Sequence, residues 1–279
     1  ADELRDCVDH YLAQDAWAFD VETTGTHRGD PIRNHVVWIA LSSGDRTDVI
    51  PMGHPHGDLL EVKYPLLKSG LERQAEGKPL RKTDYSIDIR KAEFIWSPAP
   101  EQLDRSAVFR ALEPLFAGPA VKIGHNVKFD INSVSKYLPA PPVGPYFDTM
   151  VAEWCLNSGN FGRLSLDACA ERTLGITVEK GVGKQIEAHP FDVVADYASI
   201  DARVTYLLGE RLSDLLDEEG VAQVFDLEMQ VLEVLADMER TGVCVDQDLL
   251  AVLDNEFAER TEEARLMAWA AAGETFNLA

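Results

Sequence analysis

Ala16-Trp17-Ala18-Phe19-Asp20-Val21-Glu22-Thr23-Thr24-Gly25 is the stretch that decides how this chain is read. An apolar run closed by two carboxylates and a Thr-Thr-Gly turn has the pattern of a buried strand arriving at a sheet edge. Because strand side chains alternate faces, Asp20 and Glu22 point the same way while Val21 enters the core. Two such acids repel one another unless a cation lies between them; taken alone, the pair also fits a solvated strand end. Working outward, Val36 to Leu41 and Thr47 to Pro51, with Ser-Ser-Gly-Asp between them, read as two further strands in an antiparallel sequence. Gly53, Pro55, Gly57, Pro65 and Gly70, with the basic patch Lys78 to Lys82, mark residues 54–100 as an irregular insertion. After it, Glu101 to Phe116 suits a helix, Ala120 to Gly124 a fourth strand, Val127 to Leu138 a helix stopped by Pro139, and Tyr146-Phe147 a short fifth strand. The remaining periodicity is helical, over 149–156, 164–174, 193–216 and 224–240. Strands, then alternating elements, then helices indicate an α/β fold, a mixed sheet flanked by helices with a helical extension.

Composition bounds the function. The 279 residues are 46% apolar and 27% charged, ordinary for a globular chain with room for a sizeable core. The longest apolar runs fall far short of the ~20 residues that span a bilayer, so no membrane partner is expected. Cys7, Cys155, Cys169 and Cys244 form no Cys-x-x-Cys pair, which excludes a zinc ribbon or dense disulfide framework and suggests a reduced, cytoplasmic protein. The first residues lack the features of a signal peptide, and both ends read as cut from something longer. Net charge is −22, which ordinarily argues against nucleic acid. It is uneven: residues 203–279 hold 18 acidic and 5 basic residues. Clustered carboxylates that hold divalent cations can nevertheless bind a polyanion through the metal.

Two further constellations carry chemistry. His125-Asn126-Val127-Lys128-Phe129-Asp130 follows an apolar strand and opens a helix, which brings Asp130 near the carboxyl edge of the sheet. An acid favoured by the helix dipole would look the same. Tyr197 and Asp201, four apart, share one helix face, so one ligand could touch both; a buried tyrosine bonded to an acid is the plainer alternative. His54-Pro55-His56 lacks a second pair of ligands, so zinc is not expected. Gly181-Val182-Gly183-Lys184 lacks the spacing of a nucleotide-binding loop.

In combination the three acidic motifs, Asp20-x-Glu22, Asn126-x-x-x-Asp130 and Tyr197-x-x-x-Asp201, resemble those of the DnaQ-like 3'-5' exonucleases, tyrosine subclass. In the histidine subclass the base would fall at position 196, which is Asp196. Phe147-Asp148-Thr149-Met150, Gly162-Arg163 and Leu166-Asp167 extend the resemblance to the proofreading domain of family A DNA polymerases of the bacterial polymerase I type. Met238-Glu239-Arg240-Thr241-Gly242-Val243 and Ala272 to Leu278 look like the opening of that family's polymerase domain.

The resemblance implies a ribonuclease-H-like exonuclease domain over residues 1–222 and the first helices of a truncated polymerase domain over 223–279. It implies release of nucleoside 5'-monophosphates from the 3' end of single-stranded or frayed DNA, with two Mg²⁺ or Mn²⁺ ions. By similarity Asp20 bridges both ions, Glu22 and Asp201 complete the site of the attacking water, Asp130 serves the second ion, and Tyr197 orients the water. Thr23 matches a contact to the terminal nucleotide, whereas Thr26 stands where relatives place a wedging leucine. Asn126, Lys128, Arg163 and Lys184 are candidate substrate contacts. Its expected partners are a DNA 3' end and a polymerase domain of the same polypeptide. An RNA-processing exonuclease of the same fold and a catalytically silent DNA-binding module are the rival readings.

Overall fold

The computed structural model describes residues 2–25, 29–75, 78–86, 92–157, 162–178, 182 and 186–277. The deciding stretch is the middle strand of a five-stranded sheet. After helix α1 (Asp2–Leu12), β1 (Ala16–Thr24) pairs antiparallel with β2 (His35–Ser42), which pairs antiparallel with β3 (Thr47–Pro51). On its other side β1 runs parallel to the strand Val121–Gly124, itself parallel to the strand Tyr146–Asp148. The first three strands therefore form a meander, and the last two arrive by crossovers through helices, which parallel pairing requires.

The alternation of β1 divides the molecule into layers. Trp17, Phe19 and Val21 enter one core with Tyr11 of α1 and with Phe109, Leu112 and Phe116. The Trp17 and Phe19 rings meet Phe116 at 5.5 and 5.3 Å in edge-on geometry, which adds direction to the burial. Ala18, Asp20 and Glu22 take the opposite face, crossed by the helix Phe191–Glu218. Ala40, Ala198 and Ala202 cluster there, and a Cβ at Gly209 would lie 2.8 Å from Ile123. Small residues on both sides let this helix approach the sheet closely, and that closeness brings Asp201 to β1.

Residues 54–100 are not irregular throughout. They contain an antiparallel hairpin, β4 (His56–Lys63) and β5 (Glu93–Pro98), with helix α2 (Lys68–Ala75) between the strands. Register shifts around Leu59 break the period of two that would have announced it. The later elements are α3 (Arg105–Ala117), β6 (Val121–Gly124), α4 (Val127–Ser135), β7 (Tyr146–Asp148), α5 (Thr149–Asn157), α6 (Leu166–Leu174), α7 (Phe191–Glu218), α8 (Ala222–Thr241) and α9 (Gln247–Ala272). Helix α4 ends at Ser135 rather than Leu138, because the N–H groups of Tyr137 and Leu138 turn to carbonyls three residues back.

Two compact units emerge, one reaching Arg240 and one from Thr241. In the first, α8 buries Phe225, Leu232 and Ala236, so position 222 falls inside that unit. The second holds α9, capped by Asp246, whose carboxylate accepts the Leu249 N–H, and by Gly273 in the left-handed region. All four cysteines are free thiols, and only Cys244 is exposed. Among the described residues no helix is long and apolar enough to cross a membrane.

Candidate active site

β1 delivers Asp20 and Glu22 to the face that α7 covers, and α7 presents Asp201 back to them. Carboxylate oxygens of these three residues all lie within 4.8 Å of one another. A register shift between Glu22 and Thr23 bends β1 at this point, as bulges do where a side chain must be re-aimed. Asp130 approaches from α4. Strand β6 ends opposite Ala18, and beyond that end Asp130 Oδ1 accepts the Val21 N–H at 3.0 Å. Asp130 is thus tied to the backbone between Asp20 and Glu22, and the four carboxylates that the spacing suggested share one neighbourhood.

The electrostatics show the strain of that arrangement. Burial, then the Asp201 charge, pushes Asp20 up to about 7. Burial raises Asp201 to about 6, although the Tyr197 hydroxyl bonds to it and opposes the rise. Glu22 and Asp130 are held well above the usual carboxylate range by burial and then by Asp20. Like-charged acids resist joint ionisation, and the group that relieves this is a cation. The donors are hard carboxylate oxygens, the set preferred by Mg²⁺ and Mn²⁺. Tyr197, one turn before Asp201, is raised far above an ordinary phenol by burial and by Asp201, so it keeps its proton.

Alongside this cluster opens a cavity of about 290 Å³, lined by Glu22, Thr23, Thr24, Asn34, Phe129 and Glu187 among others. Thr24 Oγ1 donates to Glu187 Oε2 at 3.3 Å, closing one wall. Thr23 is therefore at the site. The other expected contacts are dispersed. Asn126 is exposed and adopts φ 61°, a left-handed conformation that asparagine tolerates, before α4 begins. Lys128 donates to Glu239 of α8. Arg163 is exposed, and its carbonyl accepts from Arg172. Lys184, Gly181, Gly183 and Thr26 lie outside the described residues.

A buried acid with no role assigned from the motifs proves central to the geometry. Asp148, at the end of β7, accepts N–H groups from Asn126 and Val127 at 3.0 and 2.9 Å and from Met150 and Val151 at 2.9 and 3.3 Å. It clamps the left-handed turn from which α4 carries Asp130. The neighbouring His125 is fixed by Thr149 Oγ1 and the Leu164 carbonyl. Its only sequence signal is the Phe147-Asp148-Thr149-Met150 tetrapeptide.

A family model described as a 3'-5' exonuclease, of the DNA polymerase A type, matches residues 75–217, a span holding Asp130, Tyr197 and Asp201. The chain belongs to this 3'-5' exonuclease family. Members of the family are hydrolases. Asp20 and Glu22 precede the matched span, and the fold brings them to it. DNA polymerase I of Pseudomonas aeruginosa is 37% identical over 212 residues, covering 69% of this chain and 23% of that protein. DNA polymerase I of Treponema pallidum is 34% identical over 290 residues, covering 99% of this chain and 27% of that protein. The exonuclease chain thus spans about a quarter of the length of these relatives. Among solved structures, Brucella melitensis NrnC with bound Mg²⁺ superposes with a TM-score of 0.55 at 18% identity, over 83% of this chain and 88% of that one. The POL domain of Pol1 from M. smegmatis, in complex with DNA primer-template and dNTP, gives 0.60 at 18%, over 99% and 37%. These likenesses show the fold, a ribonuclease-H-like mixed sheet with a helical C-terminal part.

Proposed function

We propose that this exonuclease removes nucleoside 5'-monophosphates one at a time from the 3' end of single-stranded or frayed DNA. In this reading it is the cytoplasmic proofreading part of a family A polymerase, with residues 223–279 opening the polymerase domain. The observation that carries the reading is the meeting of Asp20, Glu22 and Asp201 oxygens within 4.8 Å, with Asp130 bonded to the strand between the first two.

Asp20, Glu22, Asp130 and Asp201 would hold two divalent ions, Mg²⁺ or Mn²⁺. Such a pair, when bound, activates water and neutralises charge at the scissile phosphate and the departing 3'-oxygen. The chain's own residues do the rest. Tyr197, protonated at working pH, orients the water by hydrogen bonding rather than removing its proton. Thr23 and the cavity walls receive the terminal nucleotide, and Phe129 supplies an apolar surface there. Bringing a terminal phosphate into a pocket of carboxylates requires an unstacked end, which accounts for the single-strand preference. The test is incubation with 5'-labelled single-stranded DNA and Mg²⁺. A ladder shortened from the 3' end, abolished by EDTA and by Asp20→Ala, is expected. A matched RNA strand shortened equally fast would instead favour an RNA-processing enzyme.

A further inference from the structure

The β4–β5 hairpin lies outside the acidic site and presents an aromatic row that the catalytic reading leaves unused. Phe94 and Trp96 are two apart on β5 and so share a face, with ring centroids 6.2 Å apart and planes 18° from parallel. His56 at the start of β4 stacks on one face of Trp96, 5.1 Å away and within 9° of parallel, and so braces that ring. The cross-strand partners Leu59, opposite Trp96, and Val62, opposite Phe94, widen this apolar face. Leu59 and Phe94 are 38% and 37% exposed.

The root of the row adjoins the cavity wall. Two residues before His56, His54 bonds through Nε2 to the His189 carbonyl, and its ring meets Phe191 at 5.8 Å. Ile186 and Glu187, just before His189, line the cavity beside Glu22. The segment that contains the hairpin also differs in charge from the chain as a whole. Residues 56–98 carry eight Lys or Arg and seven Asp or Glu, a balance of +1, in a chain of −22. A polyanion meets little net repulsion from this segment. Arg73 and Arg81 are turned onto the buried Asp84, so the attraction rests on rings more than on phosphate contacts.

We propose that the outer face of this hairpin binds single-stranded DNA by base stacking and guides the strand whose 3' end occupies the cavity. The proposal rests on the exonuclease reading for the strand's direction, but its binding test does not need turnover. Aromatic platforms hold strands with little sequence preference, and each stacked base contributes measurably when its partner ring is removed.

The experiment uses the full chain in Ca²⁺ and measures the affinity for a labelled oligothymidylate of about 16 nucleotides. Alongside, it measures hydrolysis of the p-nitrophenyl ester of thymidine 5'-monophosphate in Mn²⁺, a substrate too short to reach the hairpin. Trp96→Ala should weaken oligothymidylate binding at least about five-fold. Trp96→Tyr should bind nearly as the parent does. Hydrolysis of the ester should be unchanged in both variants. The salt dependence should keep its slope, because the lost contact is stacking and not a phosphate pair. Unchanged affinity in Trp96→Ala overturns the proposal. So does a parallel loss of ester hydrolysis, which makes the hairpin structural, or a changed oligomeric state, which makes the face a protein contact. If the parent hydrolyses nothing yet only Trp96→Ala loses affinity, the strand surface stands and the exonuclease reading falls.

Discussion

At the scale of single residues, the site is a set of acids held together against their own repulsion. Asp20 has a folded pKa near 7, above its unfolded value, so ionising it costs stability. That cost is absent at about pH 4 and fully present above pH 7, so the metal-free protein should lose stability as pH rises through this window. Asp20→Asn removes one charge from the cluster. At pH 8 in EDTA its melting temperature should exceed the parent's by roughly 2–4 °C per kcal/mol relieved. The melting shift produced by Mn²⁺ in the parent should largely disappear in the variant, together with turnover. Differential scanning fluorimetry at pH 5 and pH 8, with and without metal, reads both effects. Tyr197 makes a different prediction, because its neutral hydroxyl positions rather than binds. Tyr197→Phe should lower kcat by about 10²-fold with little change in the metal titration midpoint. If midpoint and kcat move together, the hydroxyl belongs to the ion-binding structure instead.

At the scale of elements, the ends of β6 and β7 and the start of α4 form one device. Asp148→Ala leaves the N–H groups of Asn126 and Val127 without their acceptor, which should cost about 1–3 kcal/mol by chemical denaturation. It should also lower metal affinity, since the turn it releases aims Asp130. Lys122, wholly buried on β6, donates to the Gly118 and Ala120 carbonyls at 2.7 and 3.0 Å and is lowered by burial to about 8. A lysine whose folded value lies below its unfolded one destabilises while charged, so the parent should gain stability relative to Lys122→Met as pH rises from about 8 to 10.5. Denaturation of both proteins across that range checks the sign. Such elements were unequally legible. The alternation of β1 puts Asp20 and Glu22 on one strand face, and the four-residue spacing puts Tyr197 and Asp201 on one helix face. That these two faces meet is implied only by the family resemblance, since no local pattern encodes which elements pack together. The clamp by Asp148 was not legible, because β7 has three residues and its meaning depends on a left-handed turn at Asn126 more than twenty positions earlier. The hairpin was hidden by register shifts and by the long interval between its strands. α1 buries Cys7, Val8 and Tyr11 and packs Leu4 against the same core, a short apolar stripe amid acids.

At the scale of the whole molecule, the question is how much chain the catalytic unit needs. Reading domains from motifs suggests a boundary at 222, yet the compact unit reaches Arg240. Helix α8 accounts for the difference. Phe225 packs on Phe147 at 4.7 Å, next to the Asp148 clamp, and Leu232 joins the core on the far side of β1. At its end Glu239 accepts from Lys128 and Asn132, while Arg240 donates to the Asn132 side-chain carbonyl at 2.8 Å. These bonds grip α4 on either side of Asp130. A chain ending at Arg240 keeps every one of them; a chain ending at 222 lacks Phe225 and Leu232, whose burial is worth ~1.5–3 kcal/mol each, and frees the α4 grip. The shorter chain should therefore melt at least about 6 °C below the longer one, given 2–4 °C per kcal/mol for a unit of this size. It should also bind Mn²⁺ more weakly even at temperatures where it remains folded. Glu239→Gln in the full chain separates the two contributions, because it weakens the grip on Lys128 while leaving Phe225 and Leu232 buried. Weaker metal binding with a nearly unchanged melting temperature is expected of that variant, measured by metal titration and by calorimetry. Equal melting temperatures for the chains ending at 222 and 240 would show that α8 is dispensable and that the motif boundary is also the physical one.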